Sequence, residues 1–366
     1  LYTLAIIVFG VKFIYKYRHS PYQKLRTYSV MFFQFGFAFL LPEIMLRFNL
    51  PYNDFKNMWP LNYYFFDEWN IKAMSESGAI GIFMILFGIA MIFIISPVLT
   101  YYYGKRWYCS WVCGCGGLAE TAGDPFRHLS DKSTTAWKVE RWMIHSVLVF
   151  SFIMTAAVIY SYLSGEPSGY FVKKQWFVLL LVGVLAGLSL ILFRKPRFIG
   201  PMTEKDKRVI GIVMITVAVI MIYSLLAGSG DLFFIDAYKL RSAYGFLIGA
   251  TFSGVIGVGF YPLMGSRVWC RFGCPMAAIL GIQQKFFSRF RITTNGGQCI
   301  SCGNCSVYCE MGIDVRSYAE KGQNIVRASC VGCGICSAVC PRGVLRLENG
   351  KVDIDNKVDF DHFNWP

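Results

Sequence analysis

Charge is what this sequence has least of. Only 16% of its 366 residues are Asp, Glu, Lys or Arg, against about 25% in an average soluble domain. That excludes a chain soluble along most of its length. Acids are rarer still inside the apolar runs, where Glu43 near one end is nearly alone. An ion pump buries such groups along its path, so pumping by this chain alone is disfavoured. Histidine is limited to His19, His128, His145 and His362, and only His145 falls in an apolar run. One histidine cannot ligate a haem from both sides, so no intrinsic haem is expected, and His145 reads as a polar group satisfied at an interface. Phosphate-binding glycine loops, nucleophile elbows and low-complexity segments are also missing. No signal peptide with a small-residue cleavage site opens the chain. Leu1 already lies in an apolar run, and a segment is expected ahead of it.

What is abundant is apolar: 55% of the chain is hydrophobic and 17% aromatic. Runs near the ~20 residues that cross a bilayer recur over the first 265 positions. Seven spans are expected, at about 1–15, 28–46, 78–103, 142–163, 175–193, 209–227 and 243–264. Tyr101, Tyr102 and Tyr103, and Lys173, Lys174 and Trp176, anchor span ends at the interface. The loops alternate in basic charge. The first carries Lys16, Arg18, Lys24 and Arg26, the third Lys105, Arg106, Arg127, Lys132 and Lys138, the fifth Arg194, Lys195, Arg197, Lys205, Lys207 and Arg208. The intervening loops are poorer in Lys and Arg or are balanced by Asp54, Asp67, Glu68, Glu166, Asp231 and Asp236. The positive-inside rule places loops one, three and five in the cytoplasm, and span seven delivers the tail there. The net charge of +14 has this topological cause. No basic stripe marks a soluble domain, so nucleic acid is not an expected partner.

Thirteen cysteines are present, and eight form two runs in the tail. Cys299, Cys302, Cys305 and Cys309 make one C-x2-C-x2-C-x3-C run; Cys330, Cys333, Cys336 and Cys340 make the other, followed by Pro341. Three thiolates at two-residue gaps can cap three corners of a cubane, while the fourth starts the next turn and points away. In two-cluster ferredoxins that fourth cysteine ligates the other cluster. On this pattern Cys299, Cys302, Cys305 and Cys340 hold one [4Fe-4S] cluster, and Cys330, Cys333, Cys336 and Cys309 hold its partner. Zinc sites usually take two C-x2-C pairs and leave no cysteine over. Free thiolates require a reducing compartment, in agreement with the charge rule.

The other five cysteines sit beside span ends. Cys109, Cys113 and Cys115 lie in WYCSWVCGCGG after span three, and Cys270 and Cys274 lie in VWCRFGCPMAA after span seven. Both segments read basic residue, aromatic, Cys, three residues, Cys, and both are expected at one membrane depth on one side. A C-x3-C pair on a helix would put both thiols on one face, and two such pairs facing one another would make a four-thiolate pocket. Three readings stand open: space-filling thiols, a redox dithiol or transient metal site, and a third iron–sulfur centre. Arg106, Arg267 and Arg271 beside these thiols would stabilise thiolates, which favours the two chemical readings. Cys115 is an auxiliary candidate.

Paired C-x3-C motifs ahead of a two-cluster tail, over roughly Lys105 to Leu347, resemble the membrane polyferredoxin family. That family includes the NapH quinol-dehydrogenase component of periplasmic nitrate reductase systems, the nitrous-oxide-reductase maturation protein NosR, and CcoG-type copper-maturation proteins. Cys270, Cys274 and Pro275 fit the family motif; after Cys113 the motif proline is Gly114, and after Cys309 the common proline is Glu310. The expected fold is a polytopic α-helical membrane domain over 1–282, with C-x3-C loops at 104–140 and 265–282. A C-terminal α+β two-cluster bacterial-type ferredoxin domain follows over 283–366. The resemblance implies electron transfer in the bacterial cytoplasmic membrane, ferredoxin domain inside. Its partners would be a soluble carrier or quinol-linked subunit inside and a flavin, haem or copper protein outside. A flavin-binding domain ahead of span one, as in NosR-like members, fits an N-terminus placed outside. Family members serve outer-side respiratory enzymes, so transfer from inside to outside is expected. The rival readings are a copper reductase or maturation factor acting through the C-x3-C thiols, and a structural anchor subunit.

Three smaller expectations complete the reading. The stripe Gly245, Gly249, Ser253 and Gly257, with Gly183 and Gly187, suits close helix packing more than a cofactor groove. The stretch from about Phe48 to Glu76, rich in Trp, Tyr, Phe and Asn, is expected as an outer loop. Gln283–Gly297 reads as a connector, and Asn349-Gly350 as a hairpin turn.

Overall fold

A computed structural model describes residues 1–165, 173–194 and 204–349. Four helices are long and apolar enough to cross a bilayer: Pro21–Arg47, Gly78–Tyr103, Thr134–Ser164 and Ala237–Gly259. Helices also occupy the other three expected positions, as Tyr2–Lys16 and the apolar stretches Lys174–Leu190 and Gly211–Leu226. Tyr2–Lys16 has 15 residues, and the helices that carry the two apolar stretches, Lys174–Arg194 and Glu204–Leu226, have 21 and 23. The four long helices turn most of their apolar surface outward, Phe93 and Phe246 each being 68% exposed. Such surface is stable only against lipid.

Local chemistry sets the helix ends. Pro21 opens its helix with its φ already fixed, and Asp236 caps Ala237–Gly259 by accepting from Tyr238 N and Lys239 N at 2.9 and 3.2 Å. Gly104 ends Gly78–Tyr103 at φ +69°, and a Cβ there would lie 2.7 Å from Gln284 Oε1 and from Phe290 Cβ. Only glycine lets the chain turn and the tail approach at that point.

The tail is no loose appendage. Pro275–Phe287 is a helix, and strand β1, Phe290–Thr294, pairs antiparallel with strand β2, Leu345–Asn349, from Phe290↔Asn349 to Thr294↔Leu345. The expected connector Gln283–Gly297 is therefore mainly the end of a helix and a strand. Asn349 closes β2; the expected turn at Asn349-Gly350 and its second arm lie outside the described residues. Side chains of the membrane helices and their loops grip the backbone of the second cysteine loop. Ser110 donates to Val331 O at 2.8 Å, Gln23 to Cys333 O at 2.8 Å, Tyr22 to Gly332 O at 2.9 Å, and Gln284 to Cys330 O at 2.8 Å.

The stretch 48–67 departs from its expectation as an outer loop. It folds back into the helix bundle as a re-entrant segment. The Phe65 ring stands 2.3 Å from where a Cβ on Gly88 would be, about 15 Å along the helix from Gly78 at 1.5 Å per residue. Phe55 meets Phe87 at 5.8 Å, and Trp59 donates to Thr155 Oγ1 at 2.9 Å. The Tyr63 hydroxyl lies 2.9 and 3.2 Å from Cβ positions on Gly245 and Gly249. The small-residue stripe thus receives a tyrosine ring, not a helix backbone. Irregular backbone at this depth is tolerated because it is enclosed by protein.

Candidate iron–sulfur sites

The tail folds both cysteine runs alike. Gly303 at φ +80° and Gly334 at φ +75° are each followed by a short helix, Asn304–Val307 and Ile335–Ala338, that carries the third cysteine of its run. Two cavities result. One is lined by Cys299, Cys302, Cys305 and Cys340, the other by Cys309, Cys330, Cys333 and Cys336. Each gathers three cysteines of one run and the fourth of the other. Backbone N–H groups point at the sulfurs: Ser306 at Cys305, Ile313 at Cys309, Gly332 at Cys330, Ile335 at Cys333. Such bonds are how a protein steadies cluster sulfurs. Burial pushes Cys309 up to about 11 and Cys333 up to about 12, so these thiols need a cationic centre to become thiolates. Four thiols around one hollow, with backbone N–H donors aimed at the sulfurs, fit a [4Fe-4S] group. Cys302 is exposed at the first cavity, while the second cavity faces the membrane helices.

The membrane-boundary cysteines come together too. Cys109, Cys113, Cys270 and Cys274 are buried in one core, with Cys115 packed against it. The expected single-helix C-x3-C does not form. Cys109 closes the helix Arg106–Cys109 and Cys113 precedes the helix Gly114–Thr121, while Cys270 sits in the wide turn Trp269–Gly273 and Cys274 precedes Pro275–Phe287. The intervening glycine, serine and aromatic residues break the helix between the thiols, and the two halves repeat this geometry. Cys113 N donates to Tyr108 O at 2.8 Å, and Cys274 N to Trp269 O at 2.9 Å. Burial pushes Cys109 up to about 12, while a hydrogen bond from Cys115 holds Cys113 below the ordinary thiol range. Among the described residues no three His, Cys, Asp or Glu side chains stand close enough to share one metal ion.

A buried ionic network lies between the two cysteine regions. Arg267 Nη1 is 3.5 Å from Cys270 Sγ, its Nε is 3.0 Å from Glu310 Oε1, and its Nη2 bonds Glu120 Oε1. Glu310, directly after Cys309, also takes Arg127 Nη1 at 2.7 Å, and Arg127 Nε reaches Asp124 at 2.7 Å. Arg26 pairs with the second oxygen of Glu120. Burial alone would raise Glu310, but Arg127, Arg267 and Arg26 hold it below its ordinary value. Of the flanking arginines expected beside the thiols, Arg267 makes the contact. Arg271 instead bonds Glu140 at 3.1 Å, and Arg106 stacks on Phe290 at 4.5 Å. Sequence reasoning missed Glu120, Glu310 and Arg26 in this role; the one signal was that Glu310 stands where a proline is common.

Comparison with known proteins places this geometry in a class. Residues 298–345 match a family described as a 4Fe-4S dicluster domain, and residues 83–133 and 246–293 each match a family described as a 4Fe-4S binding domain. Each of the latter two segments contains one C-x3-C pair. The chain therefore carries 4Fe-4S ferredoxin-type domains joined to membrane-spanning helices. It is also similar to YccM of Escherichia coli (strain K12), whose name gives it electron transport as a provisional role, at 24% identity over 228 residues. The alignment covers 62% of this chain and 47% of YccM, so the chain spans about half the length of that relative. No solved structure matches the chain significantly.

Proposed function

We propose that this chain is an integral membrane iron–sulfur electron-transfer protein. Its membrane domain covers 1–282 and its two-cluster domain 283–366. Cys299, Cys302, Cys305 and Cys340 hold one [4Fe-4S] cluster, Cys309, Cys330, Cys333 and Cys336 a second, and Cys109, Cys113, Cys270 and Cys274 a third at the membrane boundary. The observation that carries this reading is the pair of cavities, each lined by four cysteines drawn from both runs, stacked on a third buried thiol set. When bound, the clusters supply one-electron chemistry; the chain supplies thiolates, N–H donors and a dry path between them.

The two-cluster domain docks on loops one and three, through Gln23 and Ser110. The positive-inside rule assigns those loops to the cytoplasm, which supports a cytoplasmic donor, either a soluble carrier or a quinol-linked subunit. Electrons then pass from the tail to the boundary site and on to an outer-side flavin, haem or copper protein. Iron counting with EPR on the purified chain tests this. About twelve irons are expected, from four per cluster in three sites. The double substitution Cys109→Ser and Cys270→Ser should remove one EPR signal and spare the other two. About eight irons in the native chain, or a copper ion lost in the double variant, would overturn the third-cluster assignment.

A further inference from the structure

The re-entrant segment brings a cation to the membrane side of the boundary thiols. Lys56 is 5% exposed, and its Nζ donates to Gln34 Oε1 at 2.7 Å, a neutral acceptor. Among the described residues no carboxylate pairs with it. The nearby Asp54 is engaged with Lys56 N, Asn57 N and Asn57 Nδ2 at 3.1, 3.2 and 2.6 Å. Two observations show where this ammonium lies. A Cβ on Gly114, the residue after Cys113, would stand 3.0 Å from Lys56 Nζ and 2.5 Å from Gln34 Oε1. Asn57, its neighbour, accepts from the hydroxyl of Tyr108 at 3.3 Å. The proline of the resembled motif would put its ring on this spot, so Gly114 and Lys56 occupy one space between them.

A buried ammonium with only a neutral partner is costly unless an anion completes it. Arg267, on the other side of the thiols, is already offset by Glu120 and Glu310. Among the described residues Lys56 has no such partner, and the backbone beside its ammonium is that of Gly114, the residue after Cys113. We propose that Lys56 is the counter-cation of an anionic thiolate-ligated centre at Cys109, Cys113, Cys270 and Cys274, held there by the re-entrant segment. The inference rests on the third-centre reading above and adds what sets that centre's charge. Accepting one electron makes the centre more negative by one charge, so the fixed ammonium favours the reduced form. It raises the potential of the boundary centre and draws electrons there from the tail.

Redox titration followed by EPR on the full purified chain, with Lys56→Met, Lys56→Gln and Lys56→Arg, tests this. The neutral variants should make the boundary centre at least tenfold harder to reduce, a negative shift of about 59 mV for one electron. The two ferredoxin-domain signals should stay where they are, and Lys56→Arg should restore the native midpoint. Loss of the boundary signal alone in both neutral variants, with retention in Lys56→Arg, equally shows that the charge is required. An unchanged midpoint in the neutral variants would overturn the role of Lys56, as would loss of the signal in all three. A native chain with only two signals would instead bring down the third-centre reading, and the counter-cation with it.

Discussion

Glu120 and Glu310 share the buried arginines unequally, and this makes their removal distinguishable. Glu310→Gln leaves Arg127 paired with Asp124 at 2.7 Å and Arg267 paired with Glu120. Two charge-assisted bonds weaken but no guanidinium is stranded, so a cost of about 2 kcal/mol is expected. Glu120→Gln leaves Arg267 its contact with Glu310 but takes the carboxylate from Arg26, which is fully buried. The Nε, Nη1 and Nη2 atoms of Arg26 have no aligned hydrogen-bond acceptor to fall back on. A buried charge that loses its ion-pair partner costs about 3–5 kcal/mol, and Glu310, which acts on Arg26 without pairing with it, keeps the cost toward the lower end. These groups are out of water, so solvent screening does not shrink the difference. Equilibrium unfolding in mixed detergent micelles should therefore rank Glu120→Gln below Glu310→Gln by about 2 kcal/mol. Adding Arg26→Met to Glu120→Gln should recover most of the loss, because charge and counter-charge leave together. Equal costs for the two single variants, or no recovery in the double variant, would refute the network as drawn.

Two further outcomes follow from packing. Tyr63→Ala empties the space over Gly245 and Gly249 and should cost about 2 kcal/mol, below the full aromatic-to-alanine value because Tyr63 is only half-buried; thermal inactivation in detergent reads it. Gly332→Ala places a Cβ 2.7 Å from that of Arg106 at φ +62°, where the docked loop cannot give. Limited proteolysis should then find the loop between Cys330 and Cys336 more open than in the native chain.

The cysteine chemistry was legible in the sequence because cluster ligation depends on spacing within short loops, and spacing is printed in the primary structure. The helices were legible because lipid demands uninterrupted apolar runs. The re-entrant segment was not, since Trp59, Tyr63 and Phe65 read equally well as an outer cap; only Gly88, Thr155, Gly245 and Gly249, on three other helices, show where those rings go. The ionic network was hidden for the same reason. Its members, Arg26, Glu120, Arg127, Arg267 and Glu310, come from four separate stretches, and each alone looks like part of a basic loop or a motif variant. The helix break inside each C-x3-C pair was missed because the three intervening residues, Ser110-Trp111-Val112 and Arg271-Phe272-Gly273, are too few for periodicity to register a turn.

The order of the three thiol sets follows from what touches what. Cys302 is exposed at the first cavity, so that cavity is the end open to a soluble partner. Backbone around the second cavity is bonded to Gln23 and Ser110 of the membrane domain and to Gln284 of the helix Pro275–Phe287 that leads from it, and Ser110 also bonds Glu120 at 3.2 Å. Glu120 leads through Arg267 to Cys270, and Glu310 leads from the same arginine back to Cys309. One set of buried charges thus leans on the second and third sites together, while Lys56 reaches the third from the opposite direction. On the proposed reading Lys56 adds to the third site a cation that no carboxylate among the described residues pairs with, and so favours an electron there, in the direction of transfer proposed above.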